Sequence, residues 1–292
     1  MTAKIIDGLQ ASKALRRECR DRVKTLVEKT GNTPGLAVIL VGSDPASAVY
    51  VRNKIRACEE VGIRSLQFRY PTDVDEQAIL EQIETLNSNP AVHGILVQLP
   101  LPPHISLPRL LLKISPEKDV DGFHLYNVGG LVVGNTVFPP CTPYGVVKLL
   151  QSENIKVEGQ NVVVIGASNI VGKPMALMLM QQDATVCICH AKTRDLAQFT
   201  ILADILVVAA GKAGLIVPEM VKTGAVVIDV GINRLPSGKL VGDVDFNGVS
   251  KKASYITPVP GGVGPMTVAM LIYNTVSSAE RSSGLAKTAF QN

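Results

Sequence analysis

Apolar runs of strand length, separated by segments of helix length, constrain this chain more than any other feature. Residues 35–42 (GLAVILVG), 63–69, 93–98, 161–165, 184–189, 204–210 and 225–231 read as strands, and helices are expected over 9–28, 45–62, 75–87 and 174–182. A strand that is apolar at consecutive positions has no face for water. Its sheet must be covered on both sides, and helices between successive strands let those strands run parallel. The fold class is therefore α/β. At 292 residues the chain suits two domains of ordinary size. The texture changes to Gly, Pro, Asn and other turn residues around 119–143, and a second α/β domain begins near 140.

Composition narrows the partners. Lys and Arg number 29 against 25 Asp and Glu, and this +4 is spread along the chain without a basic block, so neither a nucleic acid nor a membrane surface is expected to bind. No apolar stretch reaches the ~18 residues of a membrane helix. The first residues lack the apolar core of a signal peptide, and Asp7, Glu18, Asp21 and Glu28 argue against an acid-poor transit peptide, which makes the cytoplasm the default location. Cys19, Cys58, Cys141, Cys187 and Cys189 are odd in number and form no C-x-x-C pair; they read as reduced core thiols, and no metal site is expected.

Residues 162–174 (VVVIGASNIVGKP) place a strand, a turn at Gly166 and a helix in succession, with Pro174 near the first helical turn. Backbone N–H groups and a helix dipole then face whatever lies beyond the sheet, which suits a phosphate. The segment departs from G-x-G-x-x-G, because Ser168 stands at the second glycine position and Gly172 comes later. An ordinary tight strand-to-helix turn is the alternative. About 20 residues further on, an NAD site would place an acidic residue on the ribose 2′-hydroxyl. The strand here runs instead into His190-Ala-Lys-Thr-Arg194, with no carboxylate before Asp195. That corner favours the 2′-phosphate of NADP, unless Lys192 and Arg194 are simply solvated loop charges.

In the first half, Ser47, Tyr50 and Lys54 follow the spacing i, i+3, i+7 along one stripe of the 45–62 helix. Arg52, Asn53, Arg56, Glu59 and Glu60 occupy the other side, leaving Lys54 among Val51, Ala57, Cys58 and Val61. Such a lysine either snorkels along apolar surface or lines a cleft where desolvation lowers its pKa. Gln98 ends an apolar strand, where ligands bind in open α/β sheets, or it caps that strand. Asp121 sits in a D-G turn and either satisfies its own backbone or holds N–H donors of a ligand.

Seven segments in order carry a resemblance: Tyr50-Val-Arg-Asn-Lys54, 97–102 (VQLPLP), 118–123 (KDVDGF), 140–143 (PCTP), 166–172 (GASNIVG), 229–233 (DVGIN) and 257–267 (TPVPGGVGPMT). Together they resemble the bifunctional methylenetetrahydrofolate dehydrogenase/cyclohydrolases of the bacterial, two-activity form, over nearly the whole chain. The resemblance implies two α/β domains flanking a cleft: a folate-binding catalytic domain over 1–139, with the carboxyl-terminal helix 267–292 packing back on it, and a Rossmann-like parallel sheet over 140–266 that binds NADP. It implies Lys54 as the key catalytic residue, Gln98 to orient it and Asp121 to grip the pterin. Tyr50 would pack on the aminobenzoyl ring, Ser47 would line the pocket, and Gly261 and Gly262 would border both ligands. Gly166, Ala167 and Ser168 would touch the cofactor phosphates and Ile232 the nicotinamide end. Tyr144 and Gly130 stand where many relatives have a basic residue, and Ala191 replaces the Ser or Arg often found beside the 2′-phosphate. The implied activity is oxidation of 5,10-methylenetetrahydrofolate followed by hydrolysis to 10-formyltetrahydrofolate, in a homodimer serving one-carbon metabolism. Two alternatives are another two-domain NADP dehydrogenase, similar to shikimate dehydrogenase, and a non-catalytic dinucleotide-sensing module.

Overall fold

The computed structural model describes residues 2–285, and for residues 45–49 the backbone only. In chain order its elements are β1 (Lys4–Ile5), α1 (Gly8–Thr30), β2 (Gly35–Val41), α2 (Pro45–Val61), β3 (Arg64–Tyr70), α3 (Glu76–Ser88), β4 (Gly94–Val97), α4 (Leu107–Lys113), α5 (Leu125–Val133) and α6 (Cys141–Ser152). Then come β5 (Asn161–Ile165), α7 (Gly172–Met180), β6 (Thr185–Cys189), α8 (Ala197–Thr200), β7 (Ile205–Val208), β8 (Val226–Asp229), β9 (Asn233–Arg234), β10 (Leu240–Val241), α9 (Phe246–Val249), β11 (Tyr255–Ile256) and α10 (Val263–Ser282).

The chain divides into two compact units, one built from residues up to Ser12 and Thr142–Thr267, the other from Lys13–Cys141 and the residues from Val268 onward. In the second of these, β2 lies between β3 and β4 in a parallel sheet, with Ile39 opposite both Phe68 and Val97. Every residue of β2 is buried, as a continuous apolar run requires. Ile79, Ile83 and Leu86 from α3 pack against Ala37, Ile39, Ile95 and Val97. Asp75 starts that helix by accepting a hydrogen bond from the Gln77 N–H.

The other unit holds a parallel sheet in the order β1-β11-β8-β7-β5-β6. Because β6 lies on one side of β5 and β7 on the other, the strand order reverses at the carboxyl end of β5, where ligands bind in doubly wound sheets. The α/β class and the parallel Rossmann-like sheet therefore follow the expectation. The assignment of the whole stretch 1–139 to one domain differs from the observed division. Lys4 and Ile5 pair with Tyr255 and Ile256, so the start of the chain extends the sheet of the later unit. A second difference lies in 119–143, read as turns: it contains α5 and the start of α6.

Candidate functional site

Helix α2 buries Val51, Ala57, Cys58 and Val61 and exposes Arg52, Asn53, Arg56, Glu59 and Glu60, so Lys54 leaves the charged face as its spacing predicts. Its Nζ donates to Gln98 Oε1 at 3.0 Å. Gln98, at the end of β4 and 8% exposed, is fixed from its other side by an Nε2 bond of 2.7 Å to the Leu99 carbonyl. A glutamine acting only as a strand cap would leave the lysine without this partner. Burial pulls the Lys54 ammonium below the ordinary lysine pKa, while the Asp121 carboxylate pulls it back up.

The carboxylate of Asp121 is itself pushed up by burial, against the attraction of Lys54. The turn-holding role belongs to a different residue. Asp119 Oδ2 accepts the His124 N–H at 2.7 Å and Asn127 Nδ2 at 2.8 Å, and Gly122 takes φ +79° where a Cβ would stand 2.6 Å from the Pro139–Pro140 peptide. Asp121 is thereby free to face Lys54. Cys141, foreseen only as a core thiol, is buried and its own pKa is raised well above the usual value, with burial the main cause. Its Sγ bonds to the Val120 carbonyl at 3.3 Å, and Asn274 Nδ2 reaches the same carbonyl at 2.8 Å. Nothing in the local sequence points to Asn274, which comes from α10. Tyr50 is 37% exposed, and the side chain of Ser47 lies outside the described residues.

In the unit with the larger sheet, β5 ends in Gly166 at φ +116°. A Cβ there would meet the Ala209 carbonyl oxygen at 2.2 Å, and one on Gly172 would meet the Gly166 oxygen at 1.9 Å. Only glycines allow the backbone to turn this closely, as a phosphate-binding turn needs. Ser168 takes an unforeseen part in it. Its Oγ accepts from Val171 N–H at 3.1 Å and Gly172 N–H at 3.3 Å, so two of the amides expected to face a phosphate are held by the serine, whose hydroxyl proton remains to donate. Ala167 completes the turn. Gly261 takes φ +106°, and Gly262 is buried against Thr257 and Pro258. Ile232 is 46% exposed in the segment after β8.

After β6 the chain makes a compact corner. The His190 N–H donates to Thr193 Oγ1 at 2.9 Å, and His190 Nδ1 accepts the Lys192 N–H at 3.1 Å, which leaves the ring proton on Nε2 when the imidazole is neutral. Lys192 and Arg194 are exposed there.

Residues 6–121 match the family described as tetrahydrofolate dehydrogenase/cyclohydrolase, catalytic domain, and residues 140–283 match the NAD(P)-binding domain of the same family. The chain is similar to the bifunctional protein FolD of Nitrosospira multiformis, 60% identical over 97% of this chain and 98% of that one. It is also similar in structure to the FolD methylenetetrahydrofolate dehydrogenase/cyclohydrolase of Campylobacter jejuni, with a TM-score of 0.94 and 54% identity over 96% of this chain and 99% of the other. The Trypanosoma brucei FolD structure, complexed with NADP cofactor and inhibitor, has a TM-score of 0.93 and 41% identity over 97% and 99% of the two chains. With both domain types matched in order and near full-length identity to bifunctional relatives, the chain belongs to the tetrahydrofolate dehydrogenase/cyclohydrolase family.

Proposed function

We propose that the chain oxidises 5,10-methylenetetrahydrofolate to 5,10-methenyltetrahydrofolate with NADP and hydrolyses the product to 10-formyltetrahydrofolate, with Lys54 carrying protons in the second reaction. The observation that carries this reading is the 3.0 Å bond from Lys54 Nζ to Gln98 Oε1, next to the Asp121 carboxylate, in a member of this family. The shikimate dehydrogenase and sensing alternatives have no comparable support.

In the substrate the bridging carbon lies between two amine nitrogens, whose lone pairs expel a hydride and leave a delocalised cation. No base is needed for that step. When bound, NADP supplies the hydride acceptor, as it is the cofactor held by the Trypanosoma brucei relative. The Gly166 turn, with Ala167 and Ser168, has the tight backbone that would receive its phosphates, and Ile232 is assigned to the nicotinamide end. In the hydrolytic reaction water adds to the methenyl carbon and loses a proton. One C–N bond then breaks as the adduct's hydroxyl gives up its proton to become the formyl carbonyl, and the departing nitrogen takes up a proton, so that one proton is released to solvent overall. A lysine whose ammonium is disfavoured by burial can accept the first proton and donate the second. Gln98 Oε1 holds one amine N–H and so aims the lone pair. Asp121 is assigned to the N–H edge of the pterin, Tyr50 to the aminobenzoyl ring, Ser47 to the pocket wall, and Gly261 and Gly262 to the border of the ligands.

A homodimer is part of the proposal. Among the described residues strand β6 has a neighbouring strand on one side only, and Ile188 on it is exposed, as are Met180 before it and Phe199, Ile201 and Leu202 after it. The cytoplasm is proposed because all five cysteines are free thiols, as a reducing compartment keeps them.

An absorbance assay tests the reading. Methylenetetrahydrofolate with NADP should turn over, whereas shikimate with NADP and a control without substrate should not. In Lys54→Met, cyclohydrolase turnover should fall about 10²–10⁴-fold while hydride transfer survives in part. Unchanged cyclohydrolase in that variant removes Lys54 from the mechanism.

A further inference from the structure

Two carboxylates are buried back to back at the carboxyl ends of β7 and β8. Asp243 is fully buried and Asp229 is 3% exposed. Asp243 Oδ2 accepts the N–H groups of Ala210 at 2.7 Å and Gly211 at 2.9 Å, and its Oδ1 accepts Lys212 N–H and Asn233 Nδ2, each at 2.8 Å. Asp229 Oδ1 accepts the N–H groups of Gly231 and Asp243, and its Oδ2 accepts that of Val244, all at 3.0 Å. Every one of these donors is neutral. Burying two anions without a cation is costly, and a full set of amide donors is what makes it tolerable.

The sequence is shaped to admit them. A Cβ on Gly231 would lie 2.2 Å from Asp243 Cγ, and one on Gly242 would lie 1.9 Å from Asp229 Oδ2. The Asp229 N–H also donates to Thr257 Oγ1 at 2.7 Å, which ties β8 to the start of the segment carrying Gly261 and Gly262. Ile232 stands between two anchored neighbours, since Gly231 is held by Asp229 and Asn233 by Asp243. Three loops at the ligand end of one sheet are thus fixed by a single buried carboxylate pair.

We propose that Asp243, seated against Asp229, is a positioning residue for hydride transfer: it sets the 210–212 and 231–233 segments, and through them the nicotinamide end assigned to Ile232. The proposal rests on the dehydrogenase reading above. Hydride transfer depends on placement to a fraction of an ångström, whereas hydrolysis of the methenyl compound uses Lys54 and needs no nicotinamide. The two activities of one chain therefore serve as probe and internal control.

The test compares Asp243→Asn and Asn233→Ala with the wild-type chain, each assayed as a dehydrogenase with methylene-deuterated substrate and as a cyclohydrolase with methenyltetrahydrofolate supplied directly. Asp243→Asn turns an amide NH₂ toward donors and should lower the hydride-transfer kcat about 10–100-fold, with a larger deuterium isotope effect. The NADP KM should stay within about threefold and cyclohydrolase turnover within about twofold of wild type. Asn233→Ala removes one side-chain bond and should show the same signature at about 3–10-fold. Wild-type kcat and isotope effect in Asn233→Ala overturn the proposal, and so does an equal loss of both activities there. A wild-type chain inactive with methylenetetrahydrofolate and NADP overturns the dehydrogenase reading and this proposal with it, an outcome distinct from either variant result.

Discussion

Lys54 is held between opposing influences: burial favours its neutral amine, and the Asp121 carboxylate favours the ammonium. Removing the carboxylate takes away the largest influence opposing burial, so Asp121→Asn should lower the lysine pKa further. The limb of the cyclohydrolase pH profile that reports Lys54 should then move to lower pH, alongside the loss of folate affinity expected from a missing acceptor. A limb that stays in place would assign the titration to another group. The lysine was legible in the sequence because helical spacing puts it on the stripe of Ser47 and Tyr50 and turns Arg52, Arg56, Glu59 and Glu60 away from it. The division of labour in 118–123 was not, since Asp119 and Asp121 are two residues apart in one turn motif. Only Asn127 and His124, brought round by α5, show that Asp119 closes the turn. Asn274 was invisible for the same reason: its partner Val120 is 154 positions away.

At the scale of elements, the corner that follows β6 is where the choice of dinucleotide can be tested. His190 and Thr193 lock the turn by bonding within it, and Lys192 and Arg194 stay exposed with no carboxylate between 185 and 194. A 2′-phosphate carries nearly two negative charges, and an aspartate placed here would repel it while accepting from a ribose 2′-hydroxyl. Ala191→Asp should therefore shift the ratio of kcat/KM for NADP over NAD toward NAD by about 10–100-fold. A wild-type preference for NAD, or a ratio unmoved by the substitution, would show that this corner does not read the phosphate. The buried strands were legible almost to the residue, because a parallel strand covered on both faces is apolar without alternation. Helix α5 was not. Gly129 and Gly130 depress helix propensity, yet a Cβ on Gly130 would meet the Asn135 carbonyl oxygen at 2.6 Å, so packing demands the glycine that propensity disfavours.

For the whole molecule, the pairing of β1 with β11 joins Lys4 and Ile5 to the distant Tyr255 and Ile256, and two-residue strands carry no periodicity from which to foresee it. The opposite end of that sheet is open. Strand β6 has β5 on one side and no strand on the other among the described residues, so its outer N–H and C=O groups form a template for another chain. Natural edges are commonly blunted by charge or proline, but β6 reads Thr-Val-Cys-Ile-Cys. A twofold axis across such an edge would pair β6 with its own copy in antiparallel fashion, satisfying both edges at once and closing the assembly at two chains. Sedimentation at micromolar concentration should then give twice the 31.1 kDa chain mass. Replacing Ile188, 39% exposed on the edge strand, by lysine places like charges together across the axis and should yield monomers with cyclohydrolase turnover retained. A wild-type chain that sediments as a monomer, or an Ile188→Lys chain that remains dimeric, would move the interface away from this edge.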